Sequence, residues 1–204
     1  MFDIKIYGVP QRQNNIEKVA RQLDLTDADI FYDDRPNGGT ALYTAKKAFT
    51  APRPLGITHR IILQDDVQIC NGFRDICETI ITTHPDKIFA LFPLDVDIDR
   101  ALSLSAQHNV VTPYIRAASV TGCGFILPIE YIQLYLDWVP DNAIEDVALF
   151  TWAQQNKYMI VNTIPSLIQH IGDESVLVKR APIRRTKYFQ ENPVANWESK
   201  TIIQ

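Results

Sequence analysis

Short apolar runs that fit buried strands alternate with helix-spaced segments through the first half of the chain. This repeat constrains the fold more than any other feature. Phe2 to Val9 alternates in polarity and stops at Pro10, as a first strand followed by a loop does. Ile16, Val19, Ala20 and Leu23 then recur at helical spacing, predicting an amphipathic helix over 14–23. Asp29 to Tyr32 reads as a second strand, closed by Asp33, Asp34, Pro36 and the turn Asn37-Gly38-Gly39. Thr40 is placed to cap a helix running to about Thr50, before the breakers Pro52 and Pro54. The run Ile61-Ile62-Leu63-Gln64-Asp65-Asp66-Val67 is a buried strand that stops where its carboxylates begin. A helix over 73–83 follows, closed by His84-Pro85, and then an apolar strand from Lys87 to Phe92. The order predicts an α/β fold with a largely parallel central sheet and helices on both faces.

The second half is less regular. Ala101–Gln107 reads as a short helix and Asn109–Tyr114 as a strand. Thr121 to Pro128 is an apolar strand whose Gly122 and Gly124 allow close backbone approach. Helices are expected at Glu130–Trp138 and Glu145–Asn156, and a late strand at Tyr158–Asn162 before Pro165. With 204 residues, no internal repeat and no interdomain linker, one domain over 1–178 is expected, followed by a basic extension over 179–204. No apolar stretch approaches the ~20 residues of a membrane span, and the N-terminus lacks a secretory pattern. A cytoplasmic protein without membrane insertion is the expectation. The odd set Cys70, Cys77 and Cys123 fits reduced thiols, with Cys70 and Cys77 as small core residues.

Asp65 and Asp66 stand where open α/β sheets bind ligands, at the carboxyl edge of a strand. Two hard oxygen ligands there suit Mg²⁺ or Mn²⁺, and the metal suits a diphosphate; the alternative is a solvated turn after a core strand. A net charge of −4 gives the whole chain no general attraction for nucleic acid. Locally, however, Lys179, Arg180, Arg184, Arg185 and Lys187 form a run without acids, either a solvated face or a contact for phosphate or an anionic acceptor.

Thr40-Ala41-Leu42 followed by His59-Arg60-Ile61-Ile62-Leu63-Gln64-Asp65-Asp66-Val67 resembles the GT-A-fold glycosyltransferases, in particular those whose metal motif reads Glu-Asp-Asp-Val after an apolar strand. Here Gln64 replaces the first acid. Three later segments are similar to the family's in the same order: Gly122 to Pro128, Glu145-Asp146 opening a helix, and Pro165 to Ser175 around His170. Together they cover roughly residues 2–175. The resemblance implies a single GT-A-like domain that moves a sugar from a nucleotide-sugar, most simply a UDP-sugar, to a hydroxyl acceptor. It gives Asp66 and His170 to Mn²⁺ or Mg²⁺, and places Asp65 nearer the sugar or ribose with Gln64 beside it. Gly122, Cys123 and Gly124 line the donor-sugar and acceptor site, and Glu145-Asp146 is the acceptor-side acid pair.

A hydroxyl acceptor needs a general base, and adjacent acids on a helix do not both face one site, so Asp146 is preferred to Glu145. Stabilisation by the helix dipole is the competing explanation for both. By position in the fold, Val9, Arg12 and Asp34 fall near the nucleotide, and Lys179 near its diphosphate as part of a flap. A glycan is the more expected acceptor, with a modified DNA base kept open by the basic run. A non-catalytic nucleotide-sugar or glycan-binding module is the alternative that Gln64 motivates, and a nucleotidyltransferase ranks last.

Overall fold

A computed structural model describes residues 1–35, 41–108, 110–172 and 185–204. The strands are β1 (Phe2–Gly8), β2 (Ile30–Tyr32), β3 (His59–Gln64), β4 (Val67–Ile69), β5 (Ile88–Ala90), β6 (Tyr114–Arg116), β7 (Gly124–Pro128), β8 (Ile160–Thr163) and β9 (Ile168–His170). The helices are α1 (Gln13–Gln22), α2 (Ala41–Thr50), α3 (Phe73–Thr83), α4 (Asp95–His108), α5 (Ile129–Trp138) and α6 (Glu145–Gln155). Thr40, the expected cap of α2, lies outside the described residues.

Seven strands form one sheet in the order β2-β1-β3-β7-β5-β8-β6. The neighbours β2, β1 and β3 are parallel, as are β5 and β8. Because β7 runs antiparallel to both β3 and β5, the two parallel groups point the same way. The α/β sheet is therefore mostly parallel in direction, with β7 and the edge strand β6 reversed. The reversal of β7 was not expected from its sequence. An apolar run with two glycines carries no mark of direction, and only its pairing between β3 and β5 sets it.

Side-chain alternation along these strands feeds two cores. Ile4, Ile6, Ile61, Leu63, Phe89, Ile126 and Val161 face α1 and α3 through Ile16, Val19, Phe73, Cys77 and Ile80. The intervening positions Tyr7, Ile62, Ile88, Ala90, Phe125, Leu127 and Ile160 face α2, α5 and α6 through Leu42, Phe49, Tyr135, Leu149 and Trp152. Each such side chain removed from water contributes about 1.5–3 kcal/mol before entropy is counted, so both faces are needed to hold the sheet. Helices thus cover both faces, as the strand rhythm predicted. Cys70, Cys77 and Cys123 are all buried.

Other boundaries differ from the sequence expectation. The apolar run ends as a strand at Gln64; Asp65 and Asp66 form a turn, and Val67 opens β4, which pairs antiparallel with β9. Helix α4 begins at Asp95, well before Ala101. Asp95 and Asp97 sit in its first turn, where the helix dipole favours acids, and their alternation with Val96 and Ile98 hides the helical period. β6 begins at Tyr114 and not at Asn109, which lies outside the described residues. Residues 185–204 pack on the domain: Trp197 is buried, its carbonyl accepts from the Tyr114 hydroxyl at 2.5 Å, and Ile203 bridges Ile115 at the sheet edge. Among the described residues no helix is long and apolar enough to cross a membrane.

Candidate functional site

The turn that carries Asp65 and Asp66 lies at the carboxyl edge of β3, next to the end of the parallel strand β1. Three groups hold it. The Val9 N–H donates to Asp65 Oδ2 at 2.7 Å. The Asn15 amide from α1 donates to the carbonyls of Asp65 at 2.5 Å and Val67 at 3.2 Å. Beyond the turn, the Ile171 N–H donates to the Asp66 carbonyl at 2.8 Å. Gly8 is required by close approach: a Cβ there would lie 2.1 Å from Asp65 Cβ.

The β4–β9 pairing sets Val67 opposite His170 and so brings His170 to the acids. His170 Nε2 stands 3.0 Å from Asp66 Oδ2. Arg12, at the end of the short turn Pro10–Arg12 after β1, donates from one terminal nitrogen to Asp65 Oδ1 at 2.9 Å and to Asp66 Oδ2. The two carboxyls respond differently to this setting. Burial pushes Asp66 up, but His170 and then Arg12 outweigh it and hold the carboxyl below its ordinary value. For Asp65 burial and the Asp66 charge prevail over Val9 and Arg12, and its pKa is raised. Asp66 Oδ1 and His170 Nδ1 are both buried without a hydrogen-bond partner among the described residues.

That orphaned carboxylate oxygen beside an imidazole is a donor set that fits Mn²⁺ or Mg²⁺. Among the described residues, no group of three or more His, Cys, Asp and Glu side chains converges on a metal position.

A second polar group lies on the α2/α5/α6 face. The Gln64 amide donates to the Tyr7 hydroxyl at 2.9 Å, and that hydroxyl donates to Glu145 Oε2. Burial, opposed by the Tyr7 hydrogen bond and reinforced by Asp146, pushes Glu145 up to about 8. Tyr7 is likewise raised by burial and by Glu145. The hydrogen-bond direction accounts for Gln64 physically. A phenol donates one proton; with that proton committed to Glu145, position 64 must supply a donor, which a carboxylate lacks.

Of the acid pair opening α6, Glu145 is the buried member. Asp146 is half-buried and its Oδ1 accepts from the Val147 N–H at 2.8 Å, the helix-end role weighed against a catalytic one. Gly122 lies between Gln64 and Asp146: a Cβ there would lie 2.9 Å from the Gln64 amide nitrogen and 3.9 Å from Asp146 Cβ. Cys123 is buried and its carbonyl accepts from the Gln64 N–H at 3.1 Å. Gly124 belongs to the core, with Ile168 and Leu63 against its open side.

The structure thus brings Val9, Arg12, Asp65, Asp66 and His170 together in one group, and Gln64, Gly122, Cys123, Glu145 and Asp146 in a second that adjoins it in sequence at Gln64. Asp34 is exposed and its carboxylate pairs with Lys47 at 2.8 Å. Lys179, with Arg180 and Arg184, lies outside the described residues. Lys187 pairs with Asp99 at 3.1 Å in solvent. Sequence reasoning missed Tyr7, Asn15 and Gly172; at Gly172 a Cβ would lie 2.9 Å from Asp66 Oδ2. A signal existed for Tyr7, a hydroxyl at an inward position of a strand, but its partner is far along the chain. No protein-family model matches the chain, and no curated protein matches it.

Proposed function

We propose that the protein is a divalent-metal-dependent glycosyltransferase that moves a sugar from a nucleotide-sugar, most simply a UDP-sugar, to a hydroxyl acceptor. One observation carries the reading: residues far apart in sequence, Asp66 and His170, meet 3.0 Å apart at the carboxyl edge of the sheet. The order of the four segments that resemble GT-A-fold enzymes supports it. Asp66 and His170 would hold Mn²⁺ or Mg²⁺, which supplies Lewis-acid stabilisation of charge developing on a departing diphosphate.

The chain's own residues do the rest. Val9, Asn15 and Ile171 fix the turn that presents Asp66, and Asp65 faces the donor. Gly122 lets the Gln64 amide pack close beside Asp146, which takes the acceptor hydroxyl's proton. Glu145, buried and bonded to Tyr7, is the positioning member of the pair; a carboxyl held neutral near pH 7 does not compete for that proton. A glycan is the favoured acceptor.

The test is a thermal-shift and turnover panel of nucleotide-sugars with and without Mn²⁺. Stabilisation that requires both, lost in Asp66→Ala, is the expected result. Full activity in Asp66→Ala, or activity indifferent to metal, refutes the assignment. A second reading is a binding module without turnover, favoured by Asp146 Oδ1 being bonded to its own helix. UDP binding by calorimetry with no transfer to a broad acceptor panel would select it.

A further inference from the structure

The acid turn already carries a cation of its own. One nitrogen of Arg12 bonds both Asp65 Oδ1 and Asp66 Oδ2, and the second of these oxygens is the one nearest His170. A guanidinium and a divalent ion cannot both sit on the one Asp66 carboxylate without strong repulsion in a half-buried site. Arg12 bonds the turn through its carboxylates, whereas the turn's backbone carbonyls are held by Asn15 and Ile171 and the Asp65 side chain also by the Val9 N–H. Its long side chain springs from the short turn Pro10–Arg12, and its other terminal nitrogen lies near Gly172, where a Cβ would come within 3.2 Å. A guanidinium so placed can leave the carboxylates without disturbing the strand end that carries them.

The geometry points to Arg12 as the resident counter-cation of the acid pair, in competition with the divalent ion for Asp66 until a diphosphate takes the guanidinium. This rests on the metal and nucleotide reading above. Its chemistry is one of exchange. The metal replaces Arg12 on Asp66, and the freed planar fork pairs with phosphate oxygens, which it matches in a way a point charge does not. Nucleotide and metal then bind cooperatively, each removing an obstacle to the other. Arg12 offsets part of the acid pair's charge until the metal arrives.

The experiment titrates Mn²⁺ into the full chain by calorimetry, alone and with saturating UDP, for wild type, Arg12→Met and Arg12→Lys. In wild type UDP should strengthen Mn²⁺ binding on the order of 10-fold, within the usual range for coupled sites. Arg12→Met should bind Mn²⁺ more tightly than wild type without UDP, bind UDP more weakly, and lose most of the coupling. Arg12→Lys keeps the charge without the fork and should fall between; it decides the matter if the Met variant does not fold. Equal Mn²⁺ affinity in the three proteins without UDP, with wild-type Mn²⁺ binding intact, overturns the exchange and leaves the metal site standing. Absence of Mn²⁺ binding from all three, with and without UDP, overturns both.

Discussion

Replacing Glu145 with Gln tests whether this carboxyl is held neutral inside the fold. Glu145 is 4% exposed, one of its oxygens has no partner among the described residues, and burial moves it from an ordinary 4.5 to about 8. The folded protein therefore keeps this proton through a pH range where the unfolded chain has lost it. Stability is unaffected by the group below about pH 4.5, falls as pH rises from there, and levels off above about 8. Each pH unit in that window carries ~1.36 kcal/mol, so the whole loss is on the order of 5 kcal/mol. Glu145→Gln keeps the shape and a carbonyl that accepts from Tyr7 but cannot ionise. Urea unfolding of both proteins from pH 5 to 9 isolates the group, because every other titration is shared. The difference between the two stabilities should change by several kcal/mol across the range, in favour of the Gln variant at high pH. A difference that stays flat within 0.5 kcal/mol would refute the argument that desolvation dominates this site.

Other outcomes follow from named contacts. Arg60 is buried, pairs with Asp3 at 2.6 Å and donates to the carbonyls of Ala48, Phe49 and Ala51 at the end of α2; Arg60→Ala should cost about 3–5 kcal/mol by denaturant unfolding, since it leaves Asp3 only the more distant Lys5 at 3.7 Å and removes the donor from three carbonyls. Gly8→Ala should lower the melting temperature and abolish any Mn²⁺-dependent nucleotide shift, because its Cβ would fall on the Asp65 side chain. Trp197→Ala should cost about 3–5 kcal/mol in the same unfolding assay; a neutral result would mean that residues 185–204 are not part of the cooperative unit. Asp146→Asn should remove sugar transfer while leaving UDP binding by calorimetry unchanged, and retained transfer would remove Asp146 as the base.

The legible part of this chain was what local spacing records. Ile16, Val19 and Ala20 turn one helix face inward, and Phe73, Cys77 and Ile80 do the same for α3, so both helices lie where their periodicity put them. The apolar run at 61–64 followed by two acids marked a strand and the acid turn at its end. Local spacing failed where a role depends on a distant partner. Residues 67–69 and 168–170 are each too short to read as strands, and they become so only by pairing with each other. Asp95 to Asp99 alternates like a strand but is helical, because its first-turn acids and the Leu94 carbonyl favour the helix start.

By itself, the sequence determined the α/β class, two-faced core burial and the placement of carboxylates at a strand's end, because these follow from periodicities of two and 3.6 within short windows. Tertiary structure alone decided the reversed direction of β7, the meeting of His170 with Asp66, and which of Glu145 and Asp146 is buried. It also decided that Arg12 spans both acids and that Gln64 must be a donor. Strand direction, charge neutralisation and hydrogen-bond polarity are properties of pairs, and here the partners lie far apart along the chain.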